Sequence, residues 1–134
     1  MEDLTPEQIV ELADSYRRTA RALAEFQLTH WPDLSHEQHL DLNAYQNSLL
    51  NRAQDLMTFS VRLAFHEAGP MIDAILQATE EARSGLKRIS NLTLALNVGA
   101  ITVALAANIA RANPKGIQSA LKELGELLKM EGEE

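Results

Sequence analysis

Residues 89–110, ISNLTLALNVGAITVALAANIA, run for 22 positions without a charged side chain. Arg83, Lys87 and Arg88 stand before the run, and Arg111 and Lys115 after it. At about 1.5 Å per helical residue, a run of this length could cross a hydrocarbon layer of roughly 30 Å. The chain must therefore do one of three things with it: bury it among its own helices, cover it with another subunit, or give it to lipid.

Placed on a helical wheel, the run has two sides. Ser90, Thr93, Asn97, Ala104 and Asn108 fall in one narrow sector, with Ala100 at its edge. Leu92, Leu96, Val103 and Ile109 lie on the opposite side. A seam of small and polar residues with aliphatics outside is how membrane helices pack against one another. It also suits a buried helix of a soluble bundle, where Asn97 and Asn108 would fix register as a core Asn does in a coiled coil. Three asparagines are costly in lipid, and no Trp or Tyr marks either end as a membrane interface prefers. These features favour a protein-buried helix, with insertion into a membrane as the alternative.

The rest of the chain reads as amphipathic helix. Thr5-Pro6-Glu7-Gln8 carries a capping box with Pro at the first helical position. Ile9, Leu12, Ala13, Tyr16, Ala20, Leu23 and Gln27 then form one stripe. Pro32 ends this helix near His30, because the residue before proline avoids the α region. Ser35-His36-Glu37-Gln38 repeats the opening pattern, and the spacing predicts a second helix to about Ala68, closed by Gly69-Pro70. It has one stripe through Leu42, Tyr45, Leu49, Ala53, Leu56, Ser60 and Leu63, and another through Leu50, Met57, Val61 and Phe65. So wide an apolar arc predicts a central helix. A third helix is expected from Pro70, with Ile72, Ile75, Thr79, Ala82, Leu86 and Ile89 as its stripe and a soft spot at Ser84-Gly85. Asn113-Pro114 closes it and opens a fourth, with Ile117, Leu121, Leu124 and Leu128 on one face. No segment alternates with the period of a strand.

The expected fold is thus all-α: a single domain over 1–134, an elongated bundle of four helices at about 6–30, 36–68, 70–112 and 114–129. The third is long and apolar, and 130–134 is a frayed tail. A chain of this length can bury a substantial core. With no cysteine it has neither disulfides nor thiolate chemistry.

Acids outnumber bases 19 to 12, for a net charge of −7, which disfavours non-specific nucleic-acid binding. The opening MEDLTPEQ has no basic or apolar leader pattern, so a cytoplasmic protein is expected, membrane-associated at most in one state. His30, Asp33, His36, Glu37 and His39 gather at the first corner and read as solvated polar residues rather than metal ligands. No Glu stands three residues before a His, as the di-metal carboxylate bundles require. His66 reads as a helix-end residue. No nucleophile elbow or phosphate-binding glycine loop is present, and Arg17, Arg18 and Arg21 read as a solvated or partner-facing patch. No catalytic, cofactor or metal residues are assigned.

The functional expectation is a non-enzymatic, self-associating assembly or adaptor protein, either a homo-oligomer or bound to a partner helix. The interface is placed on Ser90, Thr93, Asn97, Ala104 and Asn108 together with Leu50, Met57, Val61 and Phe65. The alternative is a membrane-active helical protein, pore-forming or effector-like, that inserts 89–110.

Overall fold

The computed structural model of the chain describes residues 2–58, 64–65 and 68–131. Among them are five α-helices: α1 (Pro6–Thr29), α2 (His36–Met57), α3 (Ala68–Leu86), α4 (Leu92–Ala110) and α5 (Pro114–Glu131). The fold is all-helical, with the addition of one two-residue antiparallel pairing of β1 (Glu2–Asp3) with β2 (Ala64–Phe65). That pairing is too short to leave a period-two pattern in the sequence.

Helix starts follow the capping chemistry. Thr5 Oγ1 accepts from the Gln8 amide at 3.1 Å, and the Gln8 side chain accepts from the Thr5 amide at 2.9 Å. Ser35 and Gln38 repeat both bonds at 3.1 and 2.9 Å. Trp31–Asp33 forms a single 3-10 turn between α1 and α2. At the last corner Ala112 takes a left-handed conformation with φ 49°, and Asn113 Oδ1 accepts from the Gly116 amide at 3.3 Å. The chain turns there without a glycine in the left-handed position.

Two expected helices differ from the sequence reading. The second ends at Met57, about ten residues early. Thr58 caps it, its amide donating to the Gln54 carbonyl and its hydroxyl to the Asp55 carbonyl. Gly69 and Pro70 consequently do not separate helices. They lie in the first turn of α3, where a missing amide proton leaves no bond unmade.

The long third helix is two helices. A continuous helix over 70–112 would reach about 64 Å, against about 36 Å for α1, and would outrun its neighbours. Instead the chain turns after Leu86. The amides of Arg88 and Ile89 both donate to the Gly85 carbonyl at 2.9 Å, and Asn91 Oδ1 accepts from the Leu94 amide to open α4. The bundle is therefore one of five helices, not four.

The helices close into a ring in which α1 packs on α2, α2 on α4, α4 on α5, α5 on α3 and α3 on α1. Buried side chains form one contiguous cluster inside it, with Leu12, Leu23, Leu42, Leu49, Ile72, Ile75, Leu105, Ile117 and Leu124 fully enclosed. The predicted stripes of α1 and α3 point into this cluster. The central helix is α1 rather than α2: α1 buries ten residues and α2 only Leu42, Leu49, Ala53 and Leu56.

Candidate interaction surface

α4 is the only helix among those described that is both long and apolar enough to cross a membrane. It contains no charged residue from Leu92 to Ala110. Its inner face carries Leu94, Ala95, Val98, Gly99, Thr102, Leu105, Ala106 and Ile109. Gly99 is what lets it approach: a Cβ there would stand 2.9 Å from Tyr45 of α2 and 3.1 Å from Leu23 of α1. Thr102 enters this apolar contact with its hydroxyl already donated to the Val98 carbonyl at 2.8 Å, so no polar group is stranded.

The outer face is only partly covered. Thr93 and Asn97 are exposed, and Leu96, Ala100, Val103, Ala104 and Ala107 are half-buried. The polar seam thus faces outward, and Leu96 and Val103 lie beside it rather than opposite. Of the aliphatics placed away from the seam, only Ile109 is buried. Ser90 precedes the helix and is exposed. Asn97 and Thr93 border shallow grooves toward α5, floored by Leu127 and Met130 and, beside Asn97, rimmed by Glu123 and Glu126.

Asn108 has a different role from the rest of the seam. Its amide donates to the Ala104 carbonyl at 2.9 Å, and its oxygen accepts from Asn113 at 3.3 Å. A Cβ on Gly116 would fall 2.1 Å from that oxygen. Asn108 therefore joins α4 to α5 within one chain.

The α2 residues assigned to the same interface do not meet the seam. Leu50 and Met57 are 47% and 36% exposed. They stand on the flank beyond Gln46, which faces α1, whereas Tyr45 and Arg52 face α4. Val61 and the Phe65 side chain lie outside the described residues, as does His66.

At the α1–α2 corner Asp33, His36 and Glu37 are exposed, and His39 joins a polar network. Gln27, 5% exposed, donates to His39 Nδ1 at 3.0 Å and to Asn43 at 3.2 Å, and accepts from Gln46 at 2.7 Å. With Nδ1 accepting, His39 Nε2 donates to the Trp31 carbonyl at 3.2 Å, and the His39 ring lies against the indole. These bonds use both nitrogens of His39. Among the described residues no three His, Asp or Glu side chains are grouped to hold a metal.

Two further features were not legible as sites. Between α1, α2 and α4 a small cavity, with room for about one water, is lined by Tyr16, Arg52, Asp55, Leu56, Ala106, Ile109 and Ala110. Burial pushes the Tyr16 hydroxyl pKa up, opposed in part by the Arg52 charge. Arg52 Nε is buried there without a partner among the described residues. Across the ring, Arg18, Arg21, Arg83 and Lys87 line an open groove between α1 and α3. The arginines of α1 are visible in the sequence, but nothing in it shows that α3 lies beside them.

No family model, curated protein or solved structure matches this chain.

Proposed function

We propose that the protein is a non-enzymatic, cytoplasmic assembly or adaptor module that associates with a second copy of itself through the open face of α4. The observation that carries this reading is that face: a 19-residue helix with no charge, sealed on one side and only half-buried on the other. Uncovered apolar surface of this kind marks association sites. Ala100, Ala104 and Ala107 are small enough to let a second helix approach closely in coiled-coil fashion, and Leu96 and Val103 supply flanking apolar area. The polar side chains of the α1–α2 corner are engaged with one another, and the Tyr16 cavity is about the size of one water, which suits a binding rather than a catalytic role.

Light scattering across a concentration series tests it. The native chain should form a discrete oligomer, and Val103→Glu should return it to a monomer with little change in melting temperature. Asn97→Leu should tighten association by extending the apolar face. A native chain that stays monomeric at every concentration would sink the proposal.

A second reading rests on the same helix. α4 meets the length and apolarity of a membrane span, with half of its most apolar window buried in the bundle and Lys87, Arg88, Arg111 and Lys115 at its ends. On this reading α4 leaves the ring and inserts on a trigger. Dye release from liposomes separates the two: leakage that falls with Val103→Glu supports insertion, and no binding under any lipid or pH condition removes it.

A further inference from the structure

The chain carries 12 bases against 19 acids, yet four of those bases, Arg18, Arg21, Arg83 and Lys87, line one groove between α1 and α3. This groove lies across the ring from the open face of α4. It exists because the two helices approach closely over small and self-satisfied residues. Ser15 and Thr79 hydroxyls meet at 2.6 Å, with Thr79 also donating to the Ile75 carbonyl at 3.0 Å. Ala82 is fully buried and Ala22 is 4% exposed, and Ala22 forms part of the groove wall. The helices run in the same direction, so the pair Arg18/Arg21 comes alongside Arg83/Lys87.

Three of the four cations, Arg18, Arg21 and Lys87, are not paired among the described residues. Arg83 donates through Nε and Nη2 to the Glu80 carboxylate, leaving further guanidinium protons for another anion. Glu80 reports the convergence of three of them. Its carboxyl is held below the ordinary range by the hydrogen bonds from Arg83 first, and also by the charges of Arg18 and Lys87.

The extent of the patch limits what fits. Arg18 to Arg21 spans about 4.5 Å along the helix and Arg83 to Lys87 about 6 Å, at 1.5 Å per residue. Carboxylates close both ends: Glu25 lies one turn beyond Arg21, and Asp14, paired with Arg17 at 3.1 Å, and Glu80 lie before the cations. A nucleic-acid strand or a long acidic helix lying along the groove would meet those carboxylates. A ligand one helical turn long meets fewer of them, Glu25 in the groove wall chief among these, and arginine forks match the oxygens of phosphate groups.

From this arrangement we infer that the α1–α3 groove binds a compact, multiply charged phosphate ligand, with two cations on each wall. The inference is independent of self-association through α4. The same chemistry could come from a soluble oligophosphate or from a phosphorylated lipid headgroup.

The test uses the full chain at low ionic strength, where exposed charges are least screened. Sodium tripolyphosphate is titrated calorimetrically, and co-sedimentation is measured with phosphatidylcholine vesicles carrying a polyphosphorylated inositol lipid. Saturable binding in either arm is expected, and the arm that binds identifies the source. Arg18→Gln with Arg21→Gln should weaken that binding by about tenfold, a factor within reach of two lost charge-assisted hydrogen bonds. The same charge removed elsewhere, by Lys115→Gln with Lys122→Gln, should change it by less than about twofold, because screened distant charges contribute little. Lys87→Gln provides a second test on the opposite wall, and circular dichroism confirms that each variant is folded. Absence of binding in both arms at millimolar ligand overturns the inference. So does equal weakening by the two double variants, or displacement of tripolyphosphate by oligonucleotides in proportion to their length.

Discussion

α1 and α4 reach a similar degree of burial from opposite compositions, with ten of 24 residues buried in α1 and eight of 19 in α4. α1 carries Glu7, Glu11, Asp14, Arg17, Arg18, Arg21 and Glu25, all of them off its buried face. α4 carries no charge, and its outer side is half-buried, with only Thr93, Asn97 and Ala110 exposed. The neighbours of each helix decide which residues are enclosed. α1 packs on both α2 and α3 and meets Gly99 of α4 through Leu23, so Ser15, Thr19, Ala22 and Phe26 are buried in addition to the single expected stripe. α4 lies at the far corner, with α2 and α5 beside it and nothing outside. A helix's mean apolarity therefore does not by itself set its burial; the neighbours supplied by the ring do.

The largest effect expected from this comparison is at Leu23. Leu23→Ala removes a fully enclosed side chain and should cost about 2–5 kcal/mol in urea denaturation, whereas Leu96→Ala on the open side of α4 should cost less than about 1.5 kcal/mol. Equal losses at the two positions would erase the distinction between the helices. Next comes their point of contact. Gly99→Val must displace Tyr45 and Leu23, and overpacking of this kind should destabilise by about 1–3 kcal/mol. The same substitution at exposed, unobstructed Gly125 should cost far less, because a Cβ there meets nothing within 4 Å.

A smaller effect is expected under alkaline conditions. The Tyr16 hydroxyl has a pKa raised above its ordinary 10.0, chiefly by burial, because the fold favours the neutral phenol. Its contribution is fully present below that value. It declines as the pH rises above it toward the folded-state pKa, since the unfolded chain ionises first. Urea midpoints measured from neutral pH to about pH 11 should fall above pH 10. Tyr16→Phe should flatten most of that fall, leaving the weaker contribution of Tyr45, whose pKa is raised by partial burial and by Asp41. An unchanged slope in Tyr16→Phe would show that the phenol of α1 is not sealed as described.

Much of this architecture is legible in local chemistry. Thr5/Gln8, Ser35/Gln38 and Asn113-Pro114 mark helix starts because capping involves residues three apart, and the stripes of α1 and α3 reflect one-sided burial. Three things were hidden. The end of α2 depends on Thr58, which carries no glycine or proline signal. The division of the third helix depends on Asn91, which acts as a cap but reads on a wheel as one more polar residue in an apolar run. The meaning of the polar seam depends on which face the ring encloses, and that is settled by partners distant in sequence, chiefly Leu23 and Tyr45 against Gly99. The cationic groove is hidden for the same reason, since its two walls are more than sixty residues apart.

The odd number of helices has an electrical consequence. α1, α3 and α5 run one way, with Ser15 beside Thr79 and Gly85 beside Leu128, while α2 and α4 run the other. Five axial dipoles in this arrangement leave one uncancelled, worth about half an elementary charge at each end of the molecule. Three helix C-termini gather at one end, together with Arg83, Lys87 and Lys129 near the last turns of α3 and α5. Those cations sit where the surplus of carbonyl ends is most negative, so the bundle offsets its own field there. At the other end three helix N-termini collect, with Glu7 in the first turn of α1 and no acid in the first turns of α3 or α5. The two ends of this ring are thus electrically unlike, and a molecule approaching along its axis meets a different surface from each direction.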